Sequence, residues 1–165
     1  MNLYDVMRKR RSVRKFKQEP VPRETLAKLV DAAVLAPSGC NAQGWVFVVV
    51  DDPAIKAKVA QECKWGRFIA DAAACVAVFC DKSSICLIED CSAATENLML
   101  AAVAEGLGTC WVNSHKLPHA PAIEKLLGCP ASHELAVLIA LGVPDGEPQK
   151  PQKKALEEVL RWNRF

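Results

Sequence analysis

The sequence predicts a single α+β domain in three layers (α/β/α), a sheet held between helices, and three observations carry the prediction. The runs WVFVVV (45–50), ACVAVFC (74–80) and ELAVLIALG (134–142) are apolar without alternation, the pattern of strands buried on both faces. Between them lie segments whose apolar residues recur at helical spacing, 23–35 and 92–105 above all. The chain has 165 residues, enough for one real core and too few for two domains of ordinary size.

Each element has its own signal. Leu3, Val6 and Met7 are spaced i, i+3, i+4, a short amphipathic helix running straight into the basic string RKRRSVRKFK (8–17). Leu26, Leu29, Val30, Ala33 and Val34 continue the same spacing between Pro22 at the entry and Pro37 at the exit, which predicts a helix over 23–35. The loop APSGCNAQG (36–44) feeds the valine-rich strand 45–50, closed by Asp51-Asp52-Pro53. Ile55, Val59 and Cys63 mark a helix over 53–63, and 65–73 is expected to add a second short one before strand 74–80. SAATENLMLAAVAE (92–105) is apolar nearly all round from Leu98 and is closed by Gly106, a central buried helix. GLGTCWV (106–112) reads as two glycines before a short strand, 120–128 as a small helix, and 134–142 as the most apolar strand. A polar stretch with Pro144, Pro148 and Pro151 leads to a last short helix whose Trp162 and Phe165 need a cover. An arm of this kind suits a dimer that exchanges tails.

Composition narrows the function classes. Apolar residues make up 51% and charged residues 24%, the balance of a folded globular chain. The longest apolar run, 72–80, is about half of the roughly 18 residues needed to span a bilayer, so no membrane span is expected. Residues 1–11 are basic with no apolar region after them, so no secretory signal is expected and the expected compartment is the cytoplasm. The net charge of +2 is uneven: residues 8–17 hold seven of the 21 basic residues and no acid, leaving the rest of the chain net acidic. That points to one local anion site, a phosphate, rather than to nucleic acid, which would spread basic residues over a face.

The eight cysteines (40, 63, 75, 80, 86, 91, 110, 129) read as thiols and small buried hydrophobes. No C-x-x-C occurs, and no metal is expected. In a strand Cys75 and Cys80 face opposite sides, and in a helix Cys86 and Cys91 are about 140° apart. His115, His119 and His133 lack a ligand-type spacing and read as structural or surface residues.

Two strings carry chemistry. RRSVR (10–14) sets guanidinium forks beside a serine hydroxyl, donors that match phosphate oxygens, although a solvated basic face has the same composition. PSGCNAQGW (37–45) offers Asn41 and Gln43, amides suited to the edge of a planar heterocycle, although Asn, Gly and Ser also make ordinary turns.

Taken in order, RRSVRKF, the P-V-P turn with its helix, APSGCNAQGWVFVVV, AATENLMLAAVAEGLGTCWV, AVLIALGVP and KKALEEVLRWNRF resemble the nitroreductase family of FMN-dependent oxidoreductases over nearly the whole chain. The resemblance implies a nitroreductase-like fold, with a central mixed sheet flanked by helices and residues 147–165 as an arm exchanged in a homodimer. It implies FMN at the dimer interface, with Arg10, Arg11, Ser12 and Arg14 on the phosphate and ribityl chain. Pro37, Ser38, Gly39, Asn41 and, as a less specific contact, Gln43 would come from the other subunit. Trp111, Val112, Asn113 and Ser114 would lie along the ring, with the Asn113 backbone near flavin N5, and Lys153 would close over the phosphate. Lys64 or Arg67 is a candidate for positive potential near N1, or simply a solvated residue.

The implied activity is hydride transfer from NADH or NADPH, through the flavin, to a small acceptor such as a nitroaromatic or quinone in alternating half-reactions, with no side chain required as acid or base. Against the family's pattern, Gly44 stands where proline is usual, Lys153-Lys154-Ala155 where Arg-Lys-Pro is common, Cys40 sits inside the loop, and 81–91 is short where larger members insert a lid. Two other classes fit the same residues: a non-catalytic FMN-binding or storage protein, and a cysteine-based redox sensor.

Overall fold

The computed structural model describes residues 1–165. Its sheet is built from β1 (Trp45–Val50), β2 (Ala74–Asp81), β3 (Gly108–Asn113) and β4 (His133–Gly142) in the order β1-β2-β4-β3. All three strand pairings are antiparallel, so the parallel component of the expected mixed sheet is confined to one isolated bridge, Ser12 to Thr109. Two core layers result from the period of two along β2. Ala74, Val76, Val78 and Cys80 face one layer with Leu26, Leu29, Leu98 and Met99. Cys75, Ala77 and Phe79 face the other with Val59, Ile69 and Ile123. Cys75 and Cys80 thus lie on opposite faces, and burial pushes the Cys75 thiol up to about 12.

The first layer holds α1 (Leu3–Lys9), α2 (Arg23–Val34) and α4 (Leu87–Ala104); the second holds α3 (Pro53–Glu62) and α5 (Ala120–Leu126). Local chemistry sets their ends. Asn2 caps α1 by accepting from the Asp5 amide at 3.0 Å, and Asp52 caps α3 by accepting from Ile55 at 2.9 Å, with Pro53 at the first helical position. Arg23 grips Asp51 through two hydrogen bonds, at 2.6 and 3.0 Å, and holds that carboxyl below its ordinary range. Lys56 is buried on α3 and donates to the carbonyls of Ala72 and Ala73; burial lowers its pKa.

Three elements differ from expectation. The helix expected from 92 starts at Leu87, because the connection from β2 needs only residues 82–86. The helix expected over 65–73 is a single 3₁₀ turn, Arg67–Ile69, since Gly66 precedes it and its one buried side chain is Ile69. The last helix shrinks to α6 (Leu156–Val159), with the residues after it exposed, because the arm finds nothing in its own chain to pack against. The sheet is also less covered than its apolar runs suggest: β1 is an edge strand and leaves Val46 47% and Val49 36% exposed.

Two contacts place the basic segment and the turn after β3. Segment 12–17 lies along the outer edge of β3, where the Val13 amide donates to Thr109 at 2.9 Å, and Phe16 bridges to Pro144. Gly108 permits this approach, since a Cβ there would fall 2.6 Å from Val13 Cγ2. A register shift at Val78/Phe79 leaves Ala136 of β4 opposite no β2 residue, a β-bulge. The Ala136 carbonyl then accepts from the amides of both Ser114, at 3.3 Å, and His115, at 3.0 Å, fixing the turn after β3.

Candidate cofactor site

A cavity of about 750 Å³ opens between residues 10–15 and 145–151. Arg10, Arg11, Arg14, Lys15 and Lys150 line it against the carboxylates of Asp145 and Glu147, with Ser12 between the arginines. The excess of guanidinium and ammonium donors suits a phosphate monoester. Backbone pairing holds the walls together: Asp145 donates to Lys15 at 3.0 Å and Lys17 to Val143 at 2.9 Å. Arg10 lies 3.5 Å from Glu96 of α4, the Arg11 guanidinium is curled onto the carbonyls of Arg8 and Arg10, and Arg14 sits 5.9 Å from the centre of the Phe68 ring. Lys153 lines an adjoining cavity of about 370 Å³ with Arg10, Arg11 and Lys150.

From this cavity β3 leads across the sheet. Ser12 pairs with Thr109, and Asn113 is four residues further, roughly 13 Å at 3.3 Å per residue. The buried Thr109 hydroxyl has no partner among the protein's own groups, so a polar group is left over beside the cationic cluster. Trp111 packs half-buried on the α2/α4 layer and Val112 is buried in the other, while Asn113 is exposed. Ser114 is fully buried; its Oγ donates to the Val112 carbonyl at 3.2 Å and accepts from His119 Nε2 at 3.0 Å. The Val112 and Ser114 side chains are therefore committed to the interior. What this strand end offers a ligand is its backbone, the Asn113 amide group and the Trp111 edge.

None of Pro37, Ser38, Gly39, Asn41 and Gln43 lines the basic cavity in the single chain. Their loop makes a 3₁₀ turn, Gly39–Asn41, with positive φ at Cys40, Asn41 and Gln43. Ser38 Oγ accepts from the Gln43 amide at 3.0 Å, Asn41 and Gln43 are exposed, and Gln43 Nε2 donates to the Asn41 carbonyl at 3.4 Å. The buried carboxylate of Asp90 holds this loop by accepting from the Gly39 amide at 2.9 Å. Asp90 escaped the sequence reading because it falls in the stretch 81–91, read as a short connection before a helix expected from 92. The pairing of Ser114 with His119 escaped it too, since neither neighbours the other in a recognised spacing.

Lys64 lies over the Trp65 ring at 5.2 Å and Arg67 is exposed. His115 Nδ1 is 3.6 Å from Glu134, and Ser132 Oγ is 2.9 Å from His133 Nδ1. No three His, Cys, Asp or Glu side chains converge as a metal set, and all eight cysteines are free thiols. No helix is long and apolar enough to cross a membrane.

Burial lowers the His119 pKa below 6.5, which ties stability to pH. Below pH 6.5 the unfolded chain takes up a proton that the folded ring resists, so this contribution is complete above 6.5 and is lost as pH falls toward the depressed value. Melting temperatures between pH 7 and 5 are expected to fall less steeply in His119→Gln, which can still donate to Ser114, than in the unaltered chain. Equal slopes would show that His119 is not the group responsible.

The chain is a layered α/β/α sheet with a cationic cavity beside its edge strand β3. The chain belongs to the Nitroreductase family, whose sequence model matches residues 7–87 and 67–143. It is 33% identical over 144 residues, 84% of this chain and 83% of the other, to an Archaeoglobus fulgidus protein provisionally named NADH dehydrogenase/NAD(P)H nitroreductase. It is 31% identical to the iodotyrosine deiodinase of Thermotoga neapolitana, covering 99% of this chain and 98% of that one. The fold matches an FMN-dependent nitroreductase of Clostridium difficile R20291 with a TM-score of 0.91 at 29% identity, over 97% of this chain and 98% of that one.

Proposed function

We infer that this chain is an FMN-dependent oxidoreductase that passes hydride from NADH or NADPH to a small acceptor such as a nitroaromatic or quinone, acting as a homodimer. The observation that carries the reading is the cationic cavity set against the start of β3, with an unpartnered hydroxyl beside it, in a chain of this family. FMN, when bound, supplies a ring nitrogen that accepts and donates hydride. The protein's tasks are then positional. Arg10, Arg11, Ser12 and Arg14 would hold the phosphate and ribityl chain, with Lys153 closing from the arm. The backbone at Asn113 would face N5, in a turn held still by the Ala136 carbonyl. Pro37, Ser38, Gly39, Asn41 and Gln43 would serve the partner's cofactor, in keeping with their not lining the basic cavity of their own chain.

A second reading, reductive dehalogenation, is favoured by the 31% identity to the Thermotoga deiodinase. That alignment runs to 192 positions against 165 residues here, so the deiodinase carries segments this chain lacks, and the β2–α4 connection is only residues 82–86. The shortness favours an open ring face and unspecialised acceptors. The test is the visible spectrum of the purified protein, followed by anaerobic bleaching with NADH or NADPH and reoxidation by a quinone, a nitroaromatic or iodotyrosine. Flavin bands that reduce and reoxidise with the first two acceptors are expected. Bound flavin that neither nucleotide reduces would instead mark a storage protein, and a colourless protein that cannot be loaded with FMN would remove the reading altogether.

A further inference from the structure

We propose that Cys40 and Cys86 are a redox pair, closed by peroxide into a disulfide that ties the 36–44 loop to the first turn of α4. A Cβ built on Gly39 would lie 2.8 Å from Cys86 Sγ and 3.1 Å from Cys86 Cβ, so the Cys86 side chain rests directly on the residue before Cys40. Cys40 is one Cα step of about 3.8 Å further on, and disulfides form over Cα separations of about 4.4–6.8 Å. The Gly39 amide is anchored to Asp90 Oδ1, and Asp90 is one helical turn beyond Cys86, so the loop is held against that helix end. Cys40 is the one exposed cysteine of the eight, in a turn whose backbone is left-handed at Cys40 and Asn41. Cys86, at the helix N-cap, is half-buried. The remaining thiols are unsuited to the chemistry: Cys63, Cys75, Cys80, Cys91 and Cys110 are buried, and desolvation raises the pKa of each, as it does for Cys129.

The chemistry is the two-step oxidation of neighbouring thiols by hydrogen peroxide. The Cys40 thiolate attacks one peroxide oxygen and the O–O bond breaks; the departing hydroxide takes a proton to leave as water, and Cys40 becomes a sulfenic acid. The Cys86 thiolate then attacks that sulfur, forming the S–S bond as the S–O bond breaks, and the hydroxide leaves as a second water after protonation. Two thiols lose two electrons and one peroxide is reduced to two waters. The exposed residue is thus the one struck first and the sheltered one resolves it.

The loop is the one proposed above to serve the partner's cofactor, but the link itself is read by mass in the chain and not by flavin or activity. The full chain as purified is reduced with dithiothreitol, exposed to hydrogen peroxide and digested with trypsin without reduction. Mass spectrometry is expected to find residues 29–56 joined to residues 83–116, with fragmentation placing the bond between Cys40 and Cys86, and dithiothreitol is expected to release it. In Cys86→Ser the link should vanish and Cys40 should accumulate as sulfenic acid, trapped by dimedone. Four results would overturn the proposal: Cys40 oxidised without any link, a link from Cys40 to Cys91 or Cys110, a link between two chains, or unchanged linking in Cys86→Ser. Exposure of Cys40 makes Cys40→Ser a mild change, so that variant should fold and yield no link.

Discussion

Alanine at both Arg10 and Arg14 is expected to weaken FMN binding by about a hundredfold to ten-thousandfold while leaving the fold intact. Each charge-assisted hydrogen bond to a phosphate is worth about 1.5–3 kcal/mol, and about 1.4 kcal/mol is a factor of ten. Both guanidinium groups line the same cavity, and neither supports the core: Arg14 is exposed, and the ion pair of Arg10 is with Glu96, itself half-exposed. Arg8→Ala is the control, since Arg8 is mostly exposed and pairs with Asp5 on its own helix. Flavin-fluorescence titration measures the affinity and circular dichroism the fold. A double variant that binds FMN as tightly as the unaltered chain would reduce the cluster to a solvated face.

The second large effect is expected from the arm. Trp162 is 79% exposed and Phe165 wholly so, and Leu156 and Val159 beside them are exposed as well. An aromatic side chain covers about 150–250 Å² when buried, so at about 25 cal/mol per Å² each would gain roughly 4–6 kcal/mol from a partner's surface. A chain ending at Pro144 should therefore sediment as a monomer. It should also lose FMN, since residues 145–151 wall the basic cavity and Lys153 lies just beyond. Because that truncation removes a wall as well as an anchor, Trp162→Ala combined with Phe165→Ala separates the two roles: the wall stays and only the anchor goes. Light scattering with a flavin count reads both variants. A dimer that survives the truncation fully loaded with FMN would show that the arm does neither job.

What could be read in the sequence and what could not divides along physical lines. The doubly buried strands β2 and β4 announced themselves because both of their faces must be apolar, and α2 because one stripe must be. The start of α4 was hidden: Leu87 to Cys91 mixes exposed and buried positions, with charges in the first turn, and looks like a connection until its length is known. The turn at Arg67–Ile69 was overread as a helix because its apolar residues pack singly rather than as a stripe. At the candidate site, the arginine string was visible as charge density. The Asp90 tether, the unpartnered Thr109 hydroxyl and the bulge at Ala136 were not, since each exists only through contacts between residues far apart in the chain.

β1 lies at the edge of the sheet and is open along one side. Trp45–Val50 carries no charge, no proline and no glycine, and the outer row of its amides and carbonyls pairs with no other strand. Six consecutive β-formers with an open edge are the pattern that stacks into intermolecular sheets, and natural proteins normally blunt such edges with lysine, proline or a covering segment. Here the guards, Asp51, Asp52 and Pro53, stand only at its C-terminal end. That open edge is a template for intermolecular sheet pairing, and the concentration at which the chain is kept becomes part of its folding problem.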